Sequence, residues 1–230
     1  MQSSAPITVT CAPCCWGVDD VRNPHLPGWE KVLDEASGAG FGGLELGPYG
    51  YMPLDISVVS SALAERGLSI VAGTIFDNLV DPANRESLLR QSHEICALIT
   101  ALPKPARHDG QRVDAPYLTV MDWGHDMRDF AAGHSDRAQR LDDAAWAGMV
   151  DNIRAIAETA RDEFGVRAVI HPHAGGFVDF EPEVERLLDD IDPAILKICL
   201  DTGHSHFAGF DPVAFVNIGG ISNITVGGPG

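Results

Sequence analysis

Two short apolar segments of this chain end in side chains that can bind a metal ion or transfer a proton. One segment runs into Asp201 and, three residues later, His204. The other, earlier in the chain, runs into His171 and His173. A carboxylate oxygen and imidazole nitrogens together suit a divalent metal ion. The pattern predicts a shared metal or acid–base site, and the alternative for Asp201 is that it only caps the following helix.

The two histidines of the earlier segment are separated by Pro172 alone. Residues two apart in an extended segment project to the same side of the chain. Both rings can therefore face one site, where one of them binds a metal ion and the other contacts a substrate. This spacing predicts that at least one of the two histidines is functional.

Short apolar runs alternate with amphipathic helical patterns along most of the chain. This alternation predicts βαβ units and a parallel sheet. No Gly-x-Gly-x-x-Gly motif follows the first run, which argues against a doubly wound dinucleotide-binding sheet. We predict an α/β fold of the TIM-type (β/α) barrel class, incomplete, with about six βα units over residues 1–216 and an uncharged tail over 217–230. The predicted strands cover residues 7–11, 43–46, 68–75, 117–121, 167–170 and 196–200.

The histidines cluster where such a barrel has its active site, at the C-terminal ends of the strands. Histidines placed at random would divide between the two ends of the strands. Seven of the nine instead lie at the ends of predicted strands or on the loops that follow them: His25, His125, His134, His171, His173, His204 and His206. This distribution predicts one catalytic face.

Three further residues stand at positions that suggest chemistry. Trp123 and His125 follow the fourth predicted strand, and each has an apolar face with a polar group, as the lining of a sugar pocket requires. Glu45 lies inside an apolar strand, where a carboxylate must be paired or have a raised pKa. The residues leave two roles open for Glu45, a general base or the partner of a polar group in the core.

Composition excludes several classes of partner. The 33 acidic residues against 16 basic ones give a net charge of −17, which argues against nucleic acid and anionic membranes as partners. No apolar run approaches the roughly 18 residues of a membrane span, and we see no signal peptide. The five cysteines are odd in number and unevenly spaced, which favours a reducing, cytoplasmic location over a disulfide framework.

Several motifs resemble those of the xylose isomerase-like TIM barrels. Asp201-Thr202-Gly203-His204, followed by residues 208–212, resembles the sixth-strand motif of that superfamily. Residues 12–17, which include Trp16, and residues 45–50 look most like its inosose dehydratase and sugar epimerase branch. The resemblance implies a divalent ion, manganese, cobalt, magnesium or zinc, with Asp201 as a ligand and His204 beside the metal or on the substrate. His171 stands where the family has a glutamate ligand.

The resemblance implies a metal-dependent isomerase, epimerase or dehydratase that removes a proton next to the carbonyl of a sugar or polyol, with a keto-inositol as the leading substrate. We expect metal ligation by Asp201 and His171. Proton transfer or substrate orientation is assigned to His204, Glu45 and His173, and substrate contact to Trp16, Trp123 and His125. The alternatives are an endonuclease IV-like phosphodiesterase and a non-catalytic, sugar-binding remnant.

The family continues through a seventh and an eighth strand that carry further metal ligands. Residues 217–230 contain no charged residue and no histidine, so these ligands have no counterpart in the sequence. The sequence therefore predicts a truncated barrel whose sixth strand has an unpaired edge. Because such an edge invites association, we expect a homo-oligomer.

Overall fold

The computed structural model of the chain describes residues 8–108, 111–131 and 133–218. These residues form two compact units. Of the described residues, those up to Thr74 and those in His93–Leu118 form the first unit, and those in Ile75–Ser92 and from Thr119 to Ile218 form the second. Among the described residues, no helix has both the length and the apolar character that crossing a bilayer requires.

Six strands are hydrogen-bonded in the order in which they occur along the chain. β1 pairs with β2, β2 with β3, and β5 with β6, in each case in parallel. An α-helix lies between each pair of successive strands, as βαβ units require. The predicted α/β fold with about six βα units is therefore confirmed. The strands are β1 (Thr10–Cys11), β2 (Gly43–Glu45), β3 (Ile70–Asp77), β4 (Tyr117–Asp122), β5 (Arg167–Ile170) and β6 (Leu196–Ile198).

The helices begin and end at residues that satisfy free backbone groups. The Asp55 carboxylate accepts from the amides of Ser57 and Val58, and Asp142 accepts from that of Ala145. Gly165, with φ of 65°, ends the longest helix in the left-handed conformation that glycine adopts without strain. The helices are α1 (Trp29–Gly38), α2 (Ile56–Glu65), α3 (Arg85–Ala101), α4 (Asp143–Phe164), α5 (Glu181–Asp190), α6 (Thr202–Phe207) and α7 (Pro212–Ile218).

α7 extends two residues past the boundary predicted at residue 216. Apart from Asn217 and Ile218, the predicted tail lies outside the described residues.

In the second unit, α4 packs an apolar stripe against β5. Burying each large side chain of such a stripe stabilises the fold by roughly 1.5–3 kcal/mol relative to leaving it in water. Two polar contacts fix the helix in place. The Asn152 side chain donates to the backbone carbonyl of Leu79, and the Ser92 hydroxyl donates to the backbone carbonyl of Ile156. The stripe consists of Trp146, Met149, Val150, Ile153, Ile156, Ala157 and Ala160.

In the first unit, β3 approaches α3 at Gly73. A Cβ atom at this position would lie 2.3 Å from Ile95 Cγ2 and 3.1 Å from Ile99 Cγ2. Because buried isoleucines cannot retreat without disturbing the core, we expect Gly73→Ala to lower the free energy of unfolding by about 1–3 kcal/mol. Urea denaturation followed by circular dichroism measures this change.

Gly148→Ala is the matched control, since Gly148 lies inside α4 and no heavy atom lies within 4 Å of its added Cβ. Here alanine should raise the free energy of unfolding by about 0.5–1 kcal/mol through its helix propensity. Equal effects of the two substitutions would contradict the packing described for Gly73.

Candidate metal centre

The ends of β5 and β6 bring three potential ligands together. The two strands pair in parallel with Ile170 opposite Ile198, so the residues that follow them emerge at the same edge of the sheet. Ligand atoms of His171, Asp201 and His204 all lie within 4.8 Å of one another. The structure therefore groups the two predicted metal ligands with the histidine of the sixth-strand motif.

His171 presents an imidazole nitrogen without a hydrogen-bond partner. Its side chain is 17% exposed, and its Nε2 atom is buried and lies 3.9 Å from Asp201 Oδ2, beyond hydrogen-bond distance. Burial, helped by the neighbouring His204 and His173 and opposed by Asp201, lowers the pKa of His171 to about 4. The ring is therefore neutral near pH 7, which is the form in which histidine binds metals.

Asp201 has two roles, one for each carboxylate oxygen. Oδ1 accepts a hydrogen bond of 2.7 Å from the His204 amide and so caps α6, while Oδ2 faces His171. Burial alone would raise the pKa of Asp201. The His204 amide, the nearby His204 and His171 rings, and the Gly203 amide outweigh burial and lower that pKa. The helix cap considered for Asp201 is thus present and leaves an ionised oxygen available.

The orientation of His204 is set by the loop after β5. The Ala174 amide donates to His204 Nδ1 at 3.3 Å, so the neutral ring carries its proton on Nε2. The centroid of the His204 ring lies 4.5 Å from that of His173 and 5.4 Å from that of His171. This tautomer makes His204 a hydrogen-bond donor at Nε2.

His173 completes the group of three rings. Its Nδ1 atom is buried without a hydrogen-bond partner, and its ring packs against Phe76 at a centroid distance of 5.0 Å. Burial, reinforced by His204, lowers the pKa of His173. The neutral ring has a nitrogen lone pair that can accept a proton, and burial makes it a weaker base than an imidazole in water.

The chemistry of these donors fits a divalent cation. One carboxylate oxygen and imidazole nitrogens are typical ligands of zinc, manganese and cobalt. An unsatisfied buried nitrogen is costly, and the Nε2 atom of His171 would lose that cost by coordination. The residues that could hold the ion are His171 and Asp201, with His204 within reach.

The loop after β4 holds the other predicted site residues of this unit. His125 Nε2 lies 3.0 Å from Asp122 Oδ2, which also accepts from the Phe177 amide at 2.8 Å. Trp123 is 41% exposed, and its ring centroid lies 6.5 Å from that of His125. His125 is thus fixed by a buried carboxylate, whereas Trp123 is open to solvent.

His125 also lines a cavity of about 370 Å³ with Phe177 and several apolar side chains. No member of the His171, Asp201 and His204 cluster lines this cavity. The cavity and the candidate metal centre are therefore lined by different residues.

Glu45 and Trp16 belong to the first unit. Burial raises the pKa of Glu45, and a hydrogen bond of 3.2 Å from the Thr74 hydroxyl partly offsets this rise. A core polar partner therefore exists for Glu45, as one of its two predicted roles requires. Trp16 donates through its indole nitrogen to Glu35 at 2.6 Å. Roles for Glu45 in proton transfer and for Trp16 in substrate contact remain predictions.

Sequence reasoning missed the buried charges behind the loop after β5. Asp179 is 4% exposed, and Arg128 pairs with Glu183 out of contact with solvent. Asp179 carried a usable signal, since it is a charged residue inside the apolar run Phe-Val-Asp-Phe, the same kind of signal that singled out Glu45. Arg128 lies in a polar loop, where nothing in the sequence distinguishes it.

Comparison with known proteins identifies the family of this chain. Residues 33–224 match the family model described as xylose isomerase-like TIM barrel. An inosose dehydratase of Geobacillus kaustophilus is 26% identical over 216 residues, which cover 92% of this chain and 65% of that protein. The chain thus spans just under two thirds of the length of this relative.

Two solved structures share the fold. The probable 3-DHS dehydratase AsbF of Bacillus anthracis has a TM-score of 0.65 at 16% identity, covering 92% of this chain and 69% of its own. IOLI, solved with a bound zinc atom, has a TM-score of 0.65 at 10% identity, and the match covers 91% of this chain and 68% of IOLI. Because the family model matches most of this chain, the chain belongs to the xylose isomerase-like TIM barrel family.

Proposed function

We propose that this protein is a metal-dependent lyase or isomerase that removes a proton next to the carbonyl of a cyclic polyol, with dehydration of a keto-inositol as the leading reaction. The observation that carries the proposal is the cluster of His171, Asp201 and His204, with their ligand atoms within 4.8 Å of one another. The similarity to an inosose dehydratase supports the choice of substrate class.

In this proposal His171 and Asp201 hold the divalent ion. When bound, such an ion polarises a carbonyl and an adjacent hydroxyl, which lowers the barrier to removing the neighbouring C–H proton. His171 is neutral and Asp201 ionised near pH 7, so neither has to lose a proton first.

The two other rings act on the substrate. His204 donates a hydrogen bond from Nε2–H to a substrate oxygen, because its Nδ1 atom is occupied by the Ala174 amide. His173 accepts the proton from the carbon next to the carbonyl, because its ring lies beside His204 and is neutral, with a nitrogen lone pair free to take the proton. In a dehydration, a carbon–carbon double bond forms as the adjacent C–O bond breaks, and the accepted proton leaves with the hydroxide as water.

The test is to incubate the protein with a keto-inositol and Mn²⁺ in deuterated water. NMR follows exchange of the proton next to the carbonyl, and mass spectrometry follows loss of one water. We expect both events, and His173→Gln should abolish both. Exchange without loss of water would assign an isomerase or epimerase. Absence of exchange with Mn²⁺, Co²⁺, Mg²⁺ and Zn²⁺ alike would refute the proposal.

A further inference from the structure

A buried ion pair anchors the loop that follows β5. The side chain of Arg128 is fully buried and donates two hydrogen bonds of 2.8 Å to the two carboxylate oxygens of Glu183. Arg140 also donates to Glu183. The guanidinium of Arg128 lies over the rings of Phe177 and Phe180, 5.0 Å from each centroid. Such a bidentate pair fixes the position and the direction of the Glu183 carboxylate.

The Glu183 carboxylate in turn fixes the backbone at the end of the loop, at Asp179 and Phe180. Its Oε2 atom accepts from the amides of Asp179 and Phe180, each at 3.1 Å. The second of these bonds links the first turn of α5 to Phe180, the residue that precedes the helix. The backbone of Asp179 is therefore held by a carboxylate that is itself held by Arg128.

Asp179 in turn closes the loop through its own side chain. Its Oδ2 atom accepts from the Gly175 amide at 3.1 Å. Two backbone bonds close the same turn, from His173 to the carbonyl of Val178 and from Gly176 to the carbonyl of His173. Gly175 adopts a φ of 85°, so the chain reverses at the residue that Asp179 holds.

Ala174 directly precedes Gly175, and its amide donates to His204 Nδ1 in the candidate metal centre. We propose that Asp179 is a positioning residue that holds the Ala174–Gly175 backbone against His204 and so keeps the His204 proton on Nε2. The proposal rests on the proposed function only in giving that proton a use.

The environment of Asp179 supports a role beyond packing. Its Oδ1 atom is buried and has no hydrogen-bond partner, although Arg128 and Glu183 are near enough to affect its charge. Burial raises the pKa of this carboxyl to about 6, in spite of the Gly175 amide and Arg128. An apolar residue would avoid this cost, but it would leave the Gly175 amide without its acceptor.

The test compares two uncharged replacements in the metal-free protein. Asp179→Asn keeps an oxygen that accepts from the Gly175 amide, whereas Asp179→Val has a similar volume and no acceptor. NMR measures hydrogen exchange at the Ala174 amide and the ¹⁵N shift of His204 Nδ1. We expect the Ala174 amide of Asp179→Val to exchange about tenfold faster than in the wild type, as for loss of one hydrogen bond. The Nδ1 shift should move toward that of a ring sampling both tautomers.

Asp179→Asn should retain the wild-type exchange rate and shift. Asp142→Ala is the control, because it removes a side-chain acceptor for a single amide, that of Ala145, outside this loop. It should leave the Ala174 and His204 signals unchanged.

Three results would overturn the proposal. They are a wild-type His204 protonated on Nδ1, wild-type signals in a folded Asp179→Val protein, and unfolding of both Asp179 variants, which would make the residue part of the general core. Because no measurement uses substrate or metal, a protein inactive on keto-inositols would refute the proposed function and leave this inference intact.

Discussion

Asp201→Asn is expected to lower the affinity of the protein for Mn²⁺ by about 100-fold or more. Asp201 is the only carboxylate in the cluster of His171, Asp201 and His204. Substituting a residue that only hydrogen-bonds to a metal ligand commonly costs 10–100-fold in metal affinity, so losing a ligand should cost at least as much. The asparagine oxygen can still accept from the His204 amide, so the cap of α6 is retained while the charge is lost. Isothermal titration calorimetry with Mn²⁺ at pH 7 measures the change.

The control for this substitution is Asp136→Asn. Asp136 also lies beside an imidazole, with 4.0 Å between its Oδ1 atom and His134 Nδ1, but both side chains are exposed. The affinity should stay within about twofold of the wild type, because an exposed pair contributes little. If Asp201→Asn and Asp136→Asn behave alike, the ion does not bind at the ends of β5 and β6.

The sequence was sufficient to predict that His171 and Asp201 lie close together, because its signal is local. An apolar strand followed at once by an ionisable side chain is visible in a few residues, and parallel neighbours deliver such residues to one edge. His171 and Asp201 meet both conditions. The tautomer of His204 depends on the Ala174 amide, thirty residues away, and no spacing rule reports such a contact.

The buried pair of Arg128 and Glu183 could not be predicted from the sequence, because its signal is not local. Arg128 and Glu183 are 55 residues apart in the chain, and each by itself looks like an ordinary surface residue. Only the fold buries both, and burial turns a weak surface pair into a strong constraint on the loop. Of these groups, only Asp179 carried a sequence signal, because its neighbours are apolar.

Glu183→Ala is expected to lower the free energy of unfolding by about 3–5 kcal/mol. The substitution leaves the fully buried Arg128 without its counter-charge, which is far more costly than losing a solvated pair. It also removes the acceptor of the Asp179 and Phe180 amides. Urea unfolding measures the loss, and Asp143→Ala is the control, since the 2.9 Å pair of Asp143 with Arg186 is exposed and should cost less than about 1 kcal/mol.

A double variant separates the two causes of this loss. Arg128→Met combined with Glu183→Met removes both charges and fills the space with apolar atoms, which often restores the stability lost on breaking a buried pair. The double variant should therefore be more stable than Glu183→Ala and still less stable than the wild type, because the two amides stay without an acceptor. A double variant as unstable as Glu183→Ala would mean that the amide bonds, and not the buried charge, dominate. If Glu183→Ala costs no more than Asp143→Ala, the anchor proposed for the loop after β5 does not exist.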